Sequence, residues 1–457
     1  MPPHGFITKT LPRLILSSIF CLLLSSCSTF QSQTELVISR SEYASKLHGF
    51  WLGQCIANWT GLVTEMDKIG GTGPHGEFYT RDDWGKPDQP SIWGQGIPSN
   101  LSTTIDFVFE NPEGIWGSDD DTDIEYIYQH LLAKHQTTRL TPQHIQQGWL
   151  THIYDDSNTP FVNNEGKPEN FLWVSNQQAF DLMRNINMLP PDTSAPENNP
   201  HYAMIDAQLT TEIFGLYAPG APNTALAMAH LPIRTTARQN AAWAAEFYVV
   251  MYSLAATVNT QQPIGPQLRN NADIARTYLP DSSYTAKMYD YVKLRYQQGA
   301  KWETVRDELY QRYQVEQADG YNISSQNLYC NGCFASGINF AASIVSLLYG
   351  DGDFKQTLKI ATLAGWDSDN PAATWGGMLG FILGKDGVEQ AFNRTFSEVF
   401  NIHRTRGGFA NQGLDTFTRM AEEGISIVDR VVVEELHGKI DLTTNLYFIP
   451  RANIQQP

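Results

Sequence analysis

Gly365-Trp366-Asp367-Ser368-Asp369-Asn370-Pro371-Ala372-Ala373-Thr374 joins an acidic D-x-D to the start of a helix that runs on through Gly376, Gly380 and Gly384. Asn370-Pro371 reads as a capping residue followed by Pro at the first helical position, so residues 371–384 are predicted helical. Ala372, Gly376, Gly380 and Gly384 recur every four positions and form a smooth ridge along one face. A glycine inside a helix costs about 1 kcal/mol against Ala, so a close neighbour must compensate. Ser45, Gly49, Gly53 and Ala57 repeat the spacing in another predicted helix, residues 41–57. The two ridges predict that the first helix and a late one both sit centrally in a single all-α domain.

The helical period extends outward from there. Residues 122–135, 142–155, 204–216, 238–257, 284–297, 301–314, 333–349, 353–364 and 412–435 also read as helices. Thr141-Pro142 gives a second cap-then-Pro start, and residues 445–449 read as a short strand. Loops fall at 67–118, 157–170, 186–201 and 259–267. The first of these is long enough to imply function or short internal elements.

The chain has 457 residues, 42% of them hydrophobic and 12% aromatic, which excludes a disordered protein. Its 48 acidic residues outnumber 31 basic ones, giving a formal charge of -17. Nucleic acid is therefore not an expected partner, because phosphate binding draws on a surplus of Lys and Arg.

Lys9 and Arg13 precede an apolar run, Leu14 to Leu24, that is too short to span a membrane and suits a signal peptide. Leu24-Ser25-Ser26-Cys27 resembles the bacterial lipoprotein cleavage box. The expected organisation is a lipoprotein signal peptide over 1–26, a tether over 27–40 and the helical domain over 41–457. Cys27 is the expected lipidation site, and its acyl chains would anchor the exported protein to the cell envelope. Cys55 reads as core. Cys330-Asn331-Gly332-Cys333 lacks a second ligand pair for zinc; a short disulfide and two packed thiols are both open.

Ser118-Asp119-Asp120-Asp121-Thr122-Asp123 precedes Ile124, Ile127, Leu131 and Leu132 at helical spacing. Such a run can simply be a solvated helix start favoured by the helix dipole. Adjacent Asp side chains nevertheless repel by on the order of a few kcal/mol per close pair at intermediate dielectric, and a divalent cation removes that cost. Oxygen-only donors point to Mg²⁺, Mn²⁺ or Ca²⁺. Asp367 and Asp369 form the second acidic pair.

Together the two segments resemble the ADP-ribosylglycohydrolase family. Asp120-Asp121-Thr122 is similar to its early D-D-T, with Asp119 where many members have Thr. Asp367-Ser368-Asp369 is similar to its late D-[TS]-D, with Asn370 where many members have Thr. Gly49-Phe50-Trp51-Leu52-Gly53-Gln54 resembles its opening helix, Gln54 replacing the usual Asp. The resemblance implies an all-α fold and two Mg²⁺ ions, with Mn²⁺ as an alternative. The implied ligands are Asp119, Asp120, Asp121, Asp367, Asp369 and Asn370. Asp120, Asp121, Glu65 and Asp369 are the implied catalytic carboxylates, and Trp116, Trp366 and Ser368 the expected substrate contacts.

The implied reaction is hydrolysis of an N- or O-glycosidic bond to ADP-ribose or a related ribosyl group, on a small molecule or a modified protein. Its transition state has oxocarbenium character. The alternative is a catalytically weak envelope lipoprotein that binds ADP-ribose, nucleotides or glycans.

Overall fold

The computed structural model describes residues 35–93, 101–163, 166–323 and 329–451. The signal peptide, Cys27 and most of the expected tether lie outside the described residues. The last tether residues differ from expectation: Glu35–Ser39 is a strand, and Arg40 opens the first helix. Alternating Leu36 and Ile38 pack onto the core, which draws this segment into the fold.

The helices are α1 (Arg40–Gly61), α2 (Asp120–His135), α3 (Pro142–His152), α4 (Val174–Ile186), α5 (Ile213–Tyr217), α6 (Pro222–Thr236), α7 (Gln239–Ala255) and α8 (Ile264–Arg276). They continue with α9 (Tyr284–Gln297), α10 (Trp302–Leu309), α11 (Tyr329–Gly332), α12 (Ser336–Gly350), α13 (Phe354–Ala364), α14 (Asp369–Phe392) and α15 (Phe417–Glu434). Strands β1 (Glu35–Ser39), β4 (Lys439–Asp441) and β5 (Leu446–Pro450) form an antiparallel sheet ordered β1-β5-β4; β2 (Val399–Asn401) pairs with β3 (Leu414–Thr416). The fold class is all-α.

The two glycine ridges meet. A Cβ on Gly49 would lie 2.3 Å from Gly380 O, one on Gly53 2.5 Å from Gly376 O, and one on Gly61 2.3 Å from the Asp369 Cα. As the first helix advances its partner recedes, so α1 and α14 run antiparallel with backbones in contact. This brings the C-terminal end of α1 against the N-terminal end of α14. A positive φ of 69° at Gly384 kinks α14, which continues past the expected end to Phe392.

Local signals held where neighbours in sequence decide. Thr141 caps α3, and the Asp353 carboxylate accepts from Gln356 N at 2.7 Å to cap α13. Three helices were hidden by prolines or mixed composition. Pro222 and Pro232 lie in α6, Pro266 lies in the first turn of α8, and polar residues break up α4, whose Ala179, Phe180 and Met183 are buried. The expected helix over 204–216 is mostly turns, with only Ile213–Tyr217 helical. There Thr210 and Thr211 hydroxyls bond the carbonyls of Asp206 and Ala207, as such residues do in competition with helix. The start expected at residue 412 falls in a tight turn, Ala410–Gly413, that leads into β3, and α15 begins after its cap, Thr416.

Candidate metal centre and cavity

Two groups of three carboxylates each bring ligand oxygens within 4.8 Å of one another: Glu65, Asp367 and Asp369, and Asp119, Asp121 and Asp369. Asp369 belongs to both. Asp119 caps α2 by accepting from Asp121 N at 3.1 Å, and Asp369 is the first residue of α14. Glu65 arrives from the turn after α1. That turn is stitched to the late motif by Met66 N donating to Trp366 O at 2.8 Å and Trp366 N donating to Lys68 O at 2.7 Å. Gly365 and Trp366, with φ of 95° and 56°, reverse the chain just before the acidic pair.

Burial, first of all, pushes every one of these carboxyls up from the ordinary range. Repulsion from Asp369 comes next for Glu65, Asp119, Asp121 and Asp367. Asp119 rises to about 8. Asp119 Oδ2 and Asp369 Oδ1 are buried without a hydrogen-bond partner. Oxygen-only donors, mutual repulsion and orphaned oxygens fit hard divalent cations such as Mg²⁺ or Mn²⁺. Asp120 belongs to neither group, although its charge is felt by Glu65, Asp121 and Asp367.

Glu65 and Asp119 also line a cavity of about 520 Å³, within the usual range for small-molecule sites. Trp59, Asp67, Trp93 and Arg404 form other parts of its wall.

Several expected contacts are placed elsewhere. Trp116 is fully buried, donates to Ser397 O at 3.2 Å and packs on Trp59; Trp59, not Trp116, reaches the cavity. Trp366 is likewise fully buried, donating to Gln314 Oε1 at 2.7 Å against Phe78. Both are core aromatics with their N–H groups satisfied. Ser368 is buried, and its hydroxyl donates to Gly61 O at 3.0 Å, fastening the motif to α1. Asn370, expected as a ligand, donates to Asp121 Oδ1 at 3.1 Å while its own oxygen accepts from Gln208 at 3.0 Å. Its amide group thereby orients the Asp121 carboxylate. Asp123 faces Arg406 in a fully buried pair at 2.8 Å.

Gln54 donates to Glu125 Oε2 at 2.6 Å and to Asp121 O at 3.2 Å, so it bridges two residues of α2 from within α1. The sequence reading missed Asp67, which accepts from Tyr79 OH at 2.7 Å and is pushed up to about 8 by burial and then by Asp88. It also missed Arg404. Cys330 and Cys333 form a disulfide. Just beyond it, Asn339 joins Cys333 O (2.8 Å) to the Asp367 backbone N–H (3.2 Å).

The family model for ADP-ribosylglycohydrolase matches residues 39–420. The chain belongs to the ADP-ribosylglycohydrolase family. A solved structure described as an ADP-ribosylglycohydrolase-related protein complex is similar to it at 13% identity, covering 85% of this chain and 98% of that one, with a TM-score of 0.47. No curated protein matches the chain. Both carboxylate groups of this ADP-ribosylglycohydrolase-family chain lie inside the matched span. Its family is one of glycohydrolases of ADP-ribosyl-type substrates.

Proposed function

We propose that this protein is a divalent-metal-dependent hydrolase that cleaves an N- or O-glycosidic bond to ADP-ribose or a related ribosyl group. The observation that carries the proposal is the pair of carboxylate triads sharing Asp369 beside a cavity that Glu65 and Asp119 also line. Glu65, Asp367 and Asp369 would hold one ion, and Asp119, Asp121 and Asp369 the other, with Mg²⁺ as the expected metal. Bound there, the ions supply charge that orients ribose hydroxyls and acidifies a water. Glu65 lines the cavity and would take the proton of the attacking water. Asp120, whose charge reaches Glu65, Asp121 and Asp367, would add to the negative field that favours developing oxocarbenium character. Asn370, held by Gln208, keeps Asp121 in position.

The Leu24-Ser25-Ser26-Cys27 box supports export and lipid anchoring through Cys27. An envelope location would favour a nucleotide-derived metabolite or an exposed ribosylated protein as substrate.

The test is ADP-ribose release by the chain lacking its lipid Cys, from Arg-, Ser- and O-acetyl-linked substrates, with Mg²⁺ and with chelator. Release that requires both the metal and Asp367, by comparison with Asp367→Ala, is expected. Folded, metal-loaded protein that releases nothing from any of them would refute hydrolysis of these linkages. A second reading is metal-dependent binding with weak turnover. It is favoured by Asn370, whose amide donates to Asp121 Oδ1 while its oxygen accepts from Gln208, so that it stands in a polar network within the site. ADP-ribose binding without release would support it.

A further inference from the structure

Arg404 stands out in the cavity wall. It lies on the segment after β2, and among the described lining residues it is the only Lys or Arg. The other charged groups there are Glu65, Asp67 and Asp119. The neighbouring His403 does not add a cation, because burial pushes it down to about 3. The two basic groups nearest in the chain and the wall are committed elsewhere. Arg406 pairs with Asp123 at 2.8 Å, and Lys68 donates to Pro74 O and Gln89 Oε1 at 2.6 and 2.7 Å.

Arg404 has no carboxylate partner among the described residues; its guanidinium carbon sits 3.7 Å from the Phe161 ring centre and 5.5 Å from that of Phe171. An aromatic face holds a guanidinium in place without accepting its in-plane N–H groups. Those donors stay free for an oxyanion, which a guanidinium can bind through two parallel hydrogen bonds. Partial burial lowers the Arg404 pKa and no carboxylate opposes that effect, a cost that an arriving anion would offset. The protein carries a formal charge of -17, so an anionic ligand approaches against its overall field. A fixed, uncommitted cation at the cavity is the local feature that answers this.

We infer that Arg404, mounted on Phe161, is a specificity-determining residue that binds a phosphate group of the ligand, so that the cavity selects phosphate-bearing ribosyl compounds over neutral ones. The inference rests on the proposed ribosyl-hydrolase reading for the position of the sugar, but its anion site can be measured separately. No bond is made or broken at Arg404, and its contribution is to positioning.

The experiment titrates full-length Mg²⁺-loaded protein with ADP-ribose, ribose and inorganic pyrophosphate by calorimetry, for wild type, Arg404→Gln and Arg404→Lys. ADP-ribose should bind well and ribose poorly. Arg404→Gln should weaken ADP-ribose and pyrophosphate tenfold or more at an unchanged melting temperature, and Arg404→Lys should restore part of the loss. In turnover, the loss should fall mainly on KM for a phosphate-bearing substrate. ADP-ribose affinity within twofold of wild type in folded Arg404→Gln would overturn the inference. If wild type binds no ADP-ribose, the functional reading fails first. Pyrophosphate then decides: binding that Arg404→Gln abolishes upholds the anion site, and no binding by wild type removes it. If Arg404→Gln fails to fold, Arg404→Lys and Phe161→Leu carry the same comparison.

Discussion

Gly380→Ala is expected to damage the proposed metal centre from a distance. An alanine Cβ at this position would lie 2.2 Å from Gly49 O and 3.0 Å from the Gly53 Cα. Both are backbone atoms of α1, so no side chain can rotate away. The first contact is short of van der Waals separation by about 1 Å, and the two helices must part by a comparable amount. Overpacking of this kind costs about 1–3 kcal/mol, and rigid backbone places this case toward the upper end. Replacing a helical glycine by Ala returns about 1 kcal/mol. The net loss is then about 2 kcal/mol, measured by urea denaturation of chelated protein. The same displacement moves the turn carrying Glu65 away from Asp369, because Gly61 already touches Asp369. Metal titration should therefore show the Glu65 triad weakened beyond the stability effect. A variant as stable as wild type with unchanged metal affinity would refute the claim that backbone contact between α1 and α14 sets the site.

Asp369→Asn should abolish binding of both ions, whereas Glu65→Gln should remove one, because Asp369 alone belongs to both triads; elemental analysis after equilibrium dialysis gives the count, and two ions retained by Asp369→Asn would contradict it. Asp119 keeps its proton up to about 8, against an ordinary aspartate value near 4. A raised carboxyl value stabilises the fold fully below the unfolded value, and that stability is lost as pH climbs through the window between about 4 and about 8. Chelated protein should therefore melt lower at about pH 8 than at about pH 5, and Mg²⁺ should reverse the trend by taking the place of the protons. A flat melting profile in chelator would count against it. Gln54→Leu leaves buried Glu125 Oε2 without its 2.6 Å donor and should cost about 1–3 kcal/mol in chemical denaturation. A loss below about 0.5 kcal/mol would place it with inconsequential substitutions.

The sequence reading went furthest where adjacent residues decide the outcome. The four-residue glycine spacing identified the central helix pair, since a smooth ridge is a property of one helix and its spacing alone. Both acidic segments were legible because like charges crowded in sequence demand an explanation within that segment. Asp67 escaped notice because a single Asp in a loop carries no pattern; its pairing with Tyr79 and Asp88 is made by chain folding back. Arg404 was equally silent, since its platform, Phe161, is far away in sequence. Trp116 and Trp366 illustrate the converse. Their nearness in sequence to the acids suggested cavity walls, yet both rings turn into the core.

By itself, the amino-acid sequence determined the helical class, the α1–α14 ridges, the two acidic segments and the resemblance that names the family. These rest on interactions within a few residues: spacing along one helix, local caps and adjacent charges. Only the tertiary structure decided which carboxylates come together around Asp369, that Asn370 bonds Asp121 and Gln208, and that Trp59 and Arg404 stand in the cavity wall. Those outcomes depend on distances between elements that are remote in the chain. The glycine spacing marks a ridge on each helix, but the register in which α1 and α14 meet, and with it the approach of Gly61 to Asp369, is set only when the chain folds.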